Sequence, residues 1–185
     1  MIHSWASFSP NSLINAATED ADFWTHANPE WVLARWTFIF ESLREAFIGA
    51  PQERQEEFSD ALGSLSSIIA LKLLESGLHF DAAEKYARES FSLREQAGVT
   101  GWSLANSKSM IGAALLRQNK LGESEPFVVE GAKELVALKD TVPEQARLRV
   151  IEAVDRAKSL YEKVGNQAEA SYWSAELAKL QSDPQ

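Results

Sequence analysis

Residues Met110–Leu135 read MIGAALLRQNKLGESEPFVVEGAKEL. Ile111, Ala114, Leu115 and Gln118 fall at i, i+3, i+4 and i+7, which is one stripe of a helix. Asn119-Lys120-Leu121-Gly122 then interrupts the pattern with two strong breakers. A second stripe follows through Ser124, Phe127, Val128, Gly131, Leu135 and Leu138. Small residues stand on both: Gly112 on the first, Ser124 and Gly131 on the second. A glycine inside a helix costs about 1 kcal/mol relative to alanine. Close approach of two antiparallel helices is the packing reason that offsets it. Pro126 fits this reading in the first turn of the second helix, where its missing N–H is harmless.

The same design extends in both directions. A helix is expected from Gln52 to Ser76, with Pro51 before it and Gly77 after it. It has one stripe through Phe58, Leu62, Leu65, Ile69 and Leu73 and a second through Ile68, Leu71 and Leu74, so it packs on two sides. Its partner runs from Asp81 to Ala97 and ends at Gly98. The next pair is read as Trp102–Gln118 and Gly122–Lys139. Asp140-Thr141-Val142-Pro143-Glu144 starts a further helix with Pro143 in its first position, carrying Ile151, Val154, Ala157, Tyr161 and Val164 on one face. Gly165-Asn166 breaks it. The last helix, Gln167–Leu180, sets Ala170, Trp173, Leu177 and Leu180 against Glu169, Glu176 and Lys179 and reads as a polar-backed cap.

Near the N-terminus, Asn28-Pro29-Glu30 is a helix start with cap, proline and acid in order. The helix from Pro29 to Ile48 is apolar nearly all round, with Trp31, Trp36, Phe38, Phe40 and Phe47 among its aromatics, so several sides should be covered. A central position is expected for it, packed between the N-terminal segment and the first repeat. The sharper alternative makes Trp31, Trp36, Phe40 and Phe47 an interface for self-association. Pro10–Thr18 and the acidic, aromatic stretch Thr18–Ala27 are read as short helices or loop.

The small-and-large spacing of Gly112, Leu115, Leu121, Ser124 and Gly131 resembles the tetratricopeptide pattern. GESEPFVVEGAKEL is similar to its longer, kinesin-light-chain-like variety, and Phe80–Glu95, FDAAEKYARESFSLRE, matches the same unit one step earlier. Phe80 then corresponds to Leu121, Ala83 to Ser124 and Ser90 to Gly131; Lys163–Ala170 is a poorer third copy. Residues 80–180 resemble the repeat tail that follows the kinase domain in many large bacterial serine/threonine kinases. No kinase motif is present, so no kinase activity carries over.

The resemblance implies an all-α fold, a right-handed solenoid of about three helical hairpins plus the N-terminal aromatic helix. Its organisation is a 1–50 extension, repeats at 51–98, 102–139 and 143–181, and a frayed tail at 182–185. It also implies a concave groove lined by the first helix of each pair. Carried over by position, that groove takes Leu65, Ile68, Lys72 and Glu75 from the first repeat. The second supplies Asn106, Ser109, Ala113, Leu116 and Arg117, and the third Glu152, Asp155, Ser159 and Lys163. Lys72, Arg117 and Lys163 are the cations able to meet carboxylates of a bound peptide. Ser109 and Ala113 stand where a chaperone-tail binder needs Lys and Asn, which argues against that ligand.

Composition narrows the function. A net charge of −9 and a pI near 4.9 oppose nucleic-acid and anionic-membrane partners. Zero cysteines exclude disulfides, zinc–thiolate sites and thiol nucleophiles. Met1–Pro10 lacks the basic and apolar regions of a secretory signal, so a cytoplasmic location is expected. His3, His26 and His79 each stand alone in a loop or turn by this reading, and Glu19, Asp20 and Asp22 lack the calcium-loop pattern. No metal, cofactor or catalytic residue is assigned. The expected function is a non-catalytic adaptor that holds a protein or peptide in its groove. A self-associating subunit is the alternative, and a small helical enzyme is a weak third.

Overall fold

A computed structural model describes residues 29–182, and among them every regular element is helical. The helices are α1 (Pro29–Ile48), α2 (Gln52–Ser76), α3 (Phe80–Gln96), α4 (Trp102–Arg117), α5 (Leu121–Ala137), α6 (Leu148–Val164) and α7 (Gln167–Ser182). Two 3-10 turns, Lys139–Thr141 and Glu144–Ala146, separate α5 from α6. The expected short helices before residue 29, the acidic stretch, His3, His26 and residues 183–185 lie outside the described residues.

Each helix packs on its neighbour in the chain, and α2 also touches α4, which touches α6. Two core clusters result. One joins Trp36, Phe40 and Leu43 of α1 to Leu62, Leu65 and Ile69 of α2 and to Met110, Ile111 and Leu115 of α4. The other joins Ala105 and Leu116 of α4 to Val128 and Leu135 of α5, Val154 and Leu160 of α6 and Trp173 of α7. Helix α4 supplies both clusters, which makes it the central element. Helix α1 packs on the first pair, against α2 and reaching α3, where Phe40 meets Tyr86 edge-on at 5.4 Å; the N-terminal segment expected on its other side lies outside the described residues.

The α4–α5 hairpin is built on contact between backbones. A Cβ placed on Gly112 would lie 2.7 Å from the Val128 backbone nitrogen, and one on Gly131 would lie 2.7 Å from that of Ser109. No side chain fits at either position without moving a helix. The turn between α4 and α5 is made by Asn119 at φ 61°, a left-handed conformation that asparagine tolerates better than most residues.

Two prolines sit differently from expectation. Helix α5 begins at Leu121, so Pro126 falls in its second turn. The carbonyl of Gly122, left without its usual donor, is on an exposed residue where water can serve it. Pro143 has extended backbone (ψ 147°) and starts a 3-10 turn, so α6 begins only at Leu148. Burial of Val142 ties this connection to the second core and delays the helix.

A buried polar knot pins α2, α3 and α4 together. Arg94 donates to the hydroxyls of Ser90 and Ser107 at 2.8 and 2.5 Å and to the carbonyl of Ser103 at 3.1 Å. Ser90 in turn donates to the Gly63 carbonyl at 2.8 Å. Burial pulls the Arg94 pKa below its ordinary value, with the Asp60 charge opposing the change.

Candidate functional site

A cleft lies over α2, α4 and α6. It encloses about 500 Å³. Its apolar lining is Leu71 and Leu74 from α2 with Ala113 and Leu116 from α4. Its polar lining is Glu75, Arg117, Glu152, Asp155, Arg156, Ser159 and Lys163. These come from the first helix of each of three successive hairpins, because those helices lie against one another.

Most of the charge here is already committed. Glu75 takes an ion pair from Lys72 at 2.9 Å, with Arg149 at 4.0 Å. Glu152 sits 3.0 Å from both Arg149 and Arg156. Arg156 also donates to Ser109 Oγ at 2.9 Å, which bolts α6 to α4. Burial lowers the Arg156 pKa, while Glu152 and Asp155 act to restore it. Three exposed cleft residues are left with less. Asp155 and Lys163 make no direct ion pair with any described residue, and Arg117 stacks over the Phe80 ring at 4.6 Å. Arg117 and Lys163 stand in the last turns of α4 and α6, where cations also suit the helix dipole.

Of the residues expected in the groove, Glu75, Ala113, Leu116, Arg117, Glu152, Asp155, Ser159 and Lys163 line this cleft together. Lys72 is outside its lining and paired with Glu75. Leu65 is fully buried. Asn106 and Ser109 are buried too: Ser109 is consumed by Arg156, and the nearest donor–acceptor partner of Asn106 is Met110 Sδ at 4.0 Å. Neither presents a group to a ligand. Leu71, Leu74 and Arg156 are additions. The second apolar stripe of α2 carried the signal for the leucines, and the i, i+4 spacing of Glu152 and Arg156 carried it for the arginine.

The aromatic interface expected on α1 divides in two. Trp36 and Phe40 are 3% and 1% exposed and belong to the core, where α2 and α3 cover them. Phe47 is half-buried against the same cluster. Trp31 is 72% exposed, and Phe38, not singled out for the interface from sequence, is 73% exposed. Trp31 and Phe38 are seven positions apart on one face of the helix.

His79 stands at φ 55° in the α2–α3 turn, with its Nε2 3.0 Å from Glu30 of α1. That single acid does not make a cluster. Among the described residues no group of three His, Cys, Asp or Glu side chains is gathered as a metal site, and no helix is long and apolar enough to cross a membrane. Comparison with known protein families, with characterised proteins and with solved structures returned no match.

Proposed function

We propose that this chain is a non-catalytic protein–protein interaction module, a right-handed tetratricopeptide-like stack of three helix pairs that holds a segment of another protein in the cleft over α2, α4 and α6. The observation that carries this reading is the cleft itself. Three successive first helices line it, α2 and α4 give it an apolar floor, and its mouth keeps Arg117, Asp155 and Lys163 free of direct ion pairs with the described residues. The glycine contacts between α4 and α5 support the repeat assignment, since they fall at the small positions of the pattern. A cytoplasmic location goes with this reading.

The test is affinity capture with the full chain beside an Arg117→Glu/Lys163→Glu variant and a Ser159→Trp variant, with helical content checked by circular dichroism. A protein retained by wild type and lost from both folded variants supports the cleft. Equal retention by all three counts against it.

The exposure of Trp31 and Phe38 favours a second reading, self-association through the outer face of α1. Light scattering on the purified chain decides it. A dimer that Phe38→Glu dissociates supports it, and a concentration-independent monomer refutes it. Phe40→Glu is unsuitable as a probe because Phe40 is a core residue.

A further inference from the structure

The chemistry of the occupant can be narrowed, resting on the cleft reading just given. Asp155, Ser159 and Lys163 follow one another at intervals of four along α6. At 1.5 Å per residue the acid and the cation are about 12 Å apart along the axis. An extended peptide advances about 3.3 Å per residue, so three or four residues span that distance. Arg117 adds a second cation from α4, beside the C-terminal end of α2, where its guanidinium lies 3.7 Å from the Cβ position of Gly77. The apolar floor is Leu71, Leu74, Ala113 and Leu116, and small Ala113 and Ser159 leave room above it. Glu75 and Glu152 are held by Lys72, Arg149 and Arg156 and offer little further charge.

We infer that the cleft takes an extended peptide segment of mixed charge: a basic side chain over Asp155, an apolar side chain on the leucine floor, and a carboxylate between Arg117 and Lys163. A purely acidic segment is disfavoured by Asp155 and by the net charge of −9. A purely basic one meets two cations at the mouth. The mixed pattern satisfies all three groups, and the committed pairs behind them hold the wall in place.

The experiment is fluorescence anisotropy with the full chain and four labelled heptapeptides of matched length. One carries Lys and Glu on either side of a central Leu. The others carry two Glu, two Lys, or the mixed pair around a central Ser. The mixed peptide with Leu should bind about three- to tenfold tighter than each of the others, the range expected for exposed ion pairs and one partly buried side chain. Asp155→Lys should move the preference to the two-Glu peptide, and Arg117→Glu/Lys163→Glu to the two-Lys peptide. These surface exchanges also guard against a misfolded variant being taken for a result. Tightest binding of a single-sign peptide, abolished by Ser159→Trp, overturns the inference and leaves the cleft reading standing. Binding of none of the four overturns the inference too. The cleft reading falls with it only if the captured partner is also retained equally by the cleft variants.

Discussion

Gly131→Ala is the substitution that tests the packing of the central hairpin most directly. A methyl group there would lie 2.7, 2.8 and 2.9 Å from the backbone nitrogen, Cα and Cβ of Ser109, against 3.4 Å or more for ordinary contact. The atoms in the way are mostly backbone, so relief requires α4 and α5 to separate by about 0.7 Å, the shortfall between those distances. A radial gap of about 0.5–1 Å forfeits a quarter to a half of each dispersion contact it opens. Fully buried neighbours at this interface include Val128, Ala132 and Leu135. Overpacking of this kind typically costs about 1–3 kcal/mol, while alanine returns about 1 kcal/mol of helix propensity. The net expectation is a loss of up to about 2 kcal/mol. For a chain of this size that lowers Tm by up to about 8 °C. Gly122→Ala is the control, because it sits in the same helix with nothing within 4 Å of its Cβ position. It should be neutral or raise stability by a few tenths to about 1 kcal/mol. Urea unfolding followed by circular dichroism measures both. If Gly131→Ala is as stable as Gly122→Ala, the two helices do not approach as described and the hairpin argument fails.

Three further perturbations follow from particular contacts. Partial burial works against the Glu84 carboxylate, but hydrogen bonds from Gln118, Lys120 and Arg88 outweigh it and hold its pKa below the ordinary 4.5. A depressed folded pKa gives stability that is present above the unfolded value and lost as pH falls through the folded one. Glu84→Gln should therefore cost about 1–2 kcal/mol at pH 7 and nothing relative to wild type once both pKa values are passed on the acid side, as read by urea unfolding at a series of pH values. Pro126→Ala should stabilise by about 1–2 kcal/mol, because it restores a donor to the Gly122 carbonyl in the second turn of α5; an unchanged or lowered Tm would mean that the proline is accommodated without loss. Trp173→Ala should cost about 3–5 kcal/mol, since this 1%-exposed side chain seals the second core from α7, and a smaller loss in the same unfolding assay would show that α7 is a loosely held cap.

The parts of this fold that were legible are the ones decided locally. The start of α2 follows from Pro51 and its end from Gly77 at φ 74°, and Gly165 at φ 75° closes α6. These residues act through their own backbone, so a reading of a few neighbours suffices. Gly112 and Gly131 were legible for a related reason: each carries a helix cost that only contact can offset. What failed depended on partners far along the chain. Ser109 reads as a surface hydroxyl until Arg156, 47 positions later, takes it. The all-round apolar pattern of α1 predicted cover from the first repeat and from the segment before the helix; α2 and α3 cover Trp36 and Phe40, and Trp31 and Phe38 are exposed. Periodicity names a face, and only the packing of other helices decides whether that face becomes core or surface. The cleft obeys the same logic. The α6 positions and Arg117 follow from the groove positions that the resemblance implies, whereas Asn106 and Ser109, implied in the same way, are lost to the core of α4. That helix feeds both clusters and has little circumference left to present to a ligand. A central helix flanked on most sides can therefore contribute to a binding surface mainly near its exposed end, and Arg117, the last residue of α4, is where it does so.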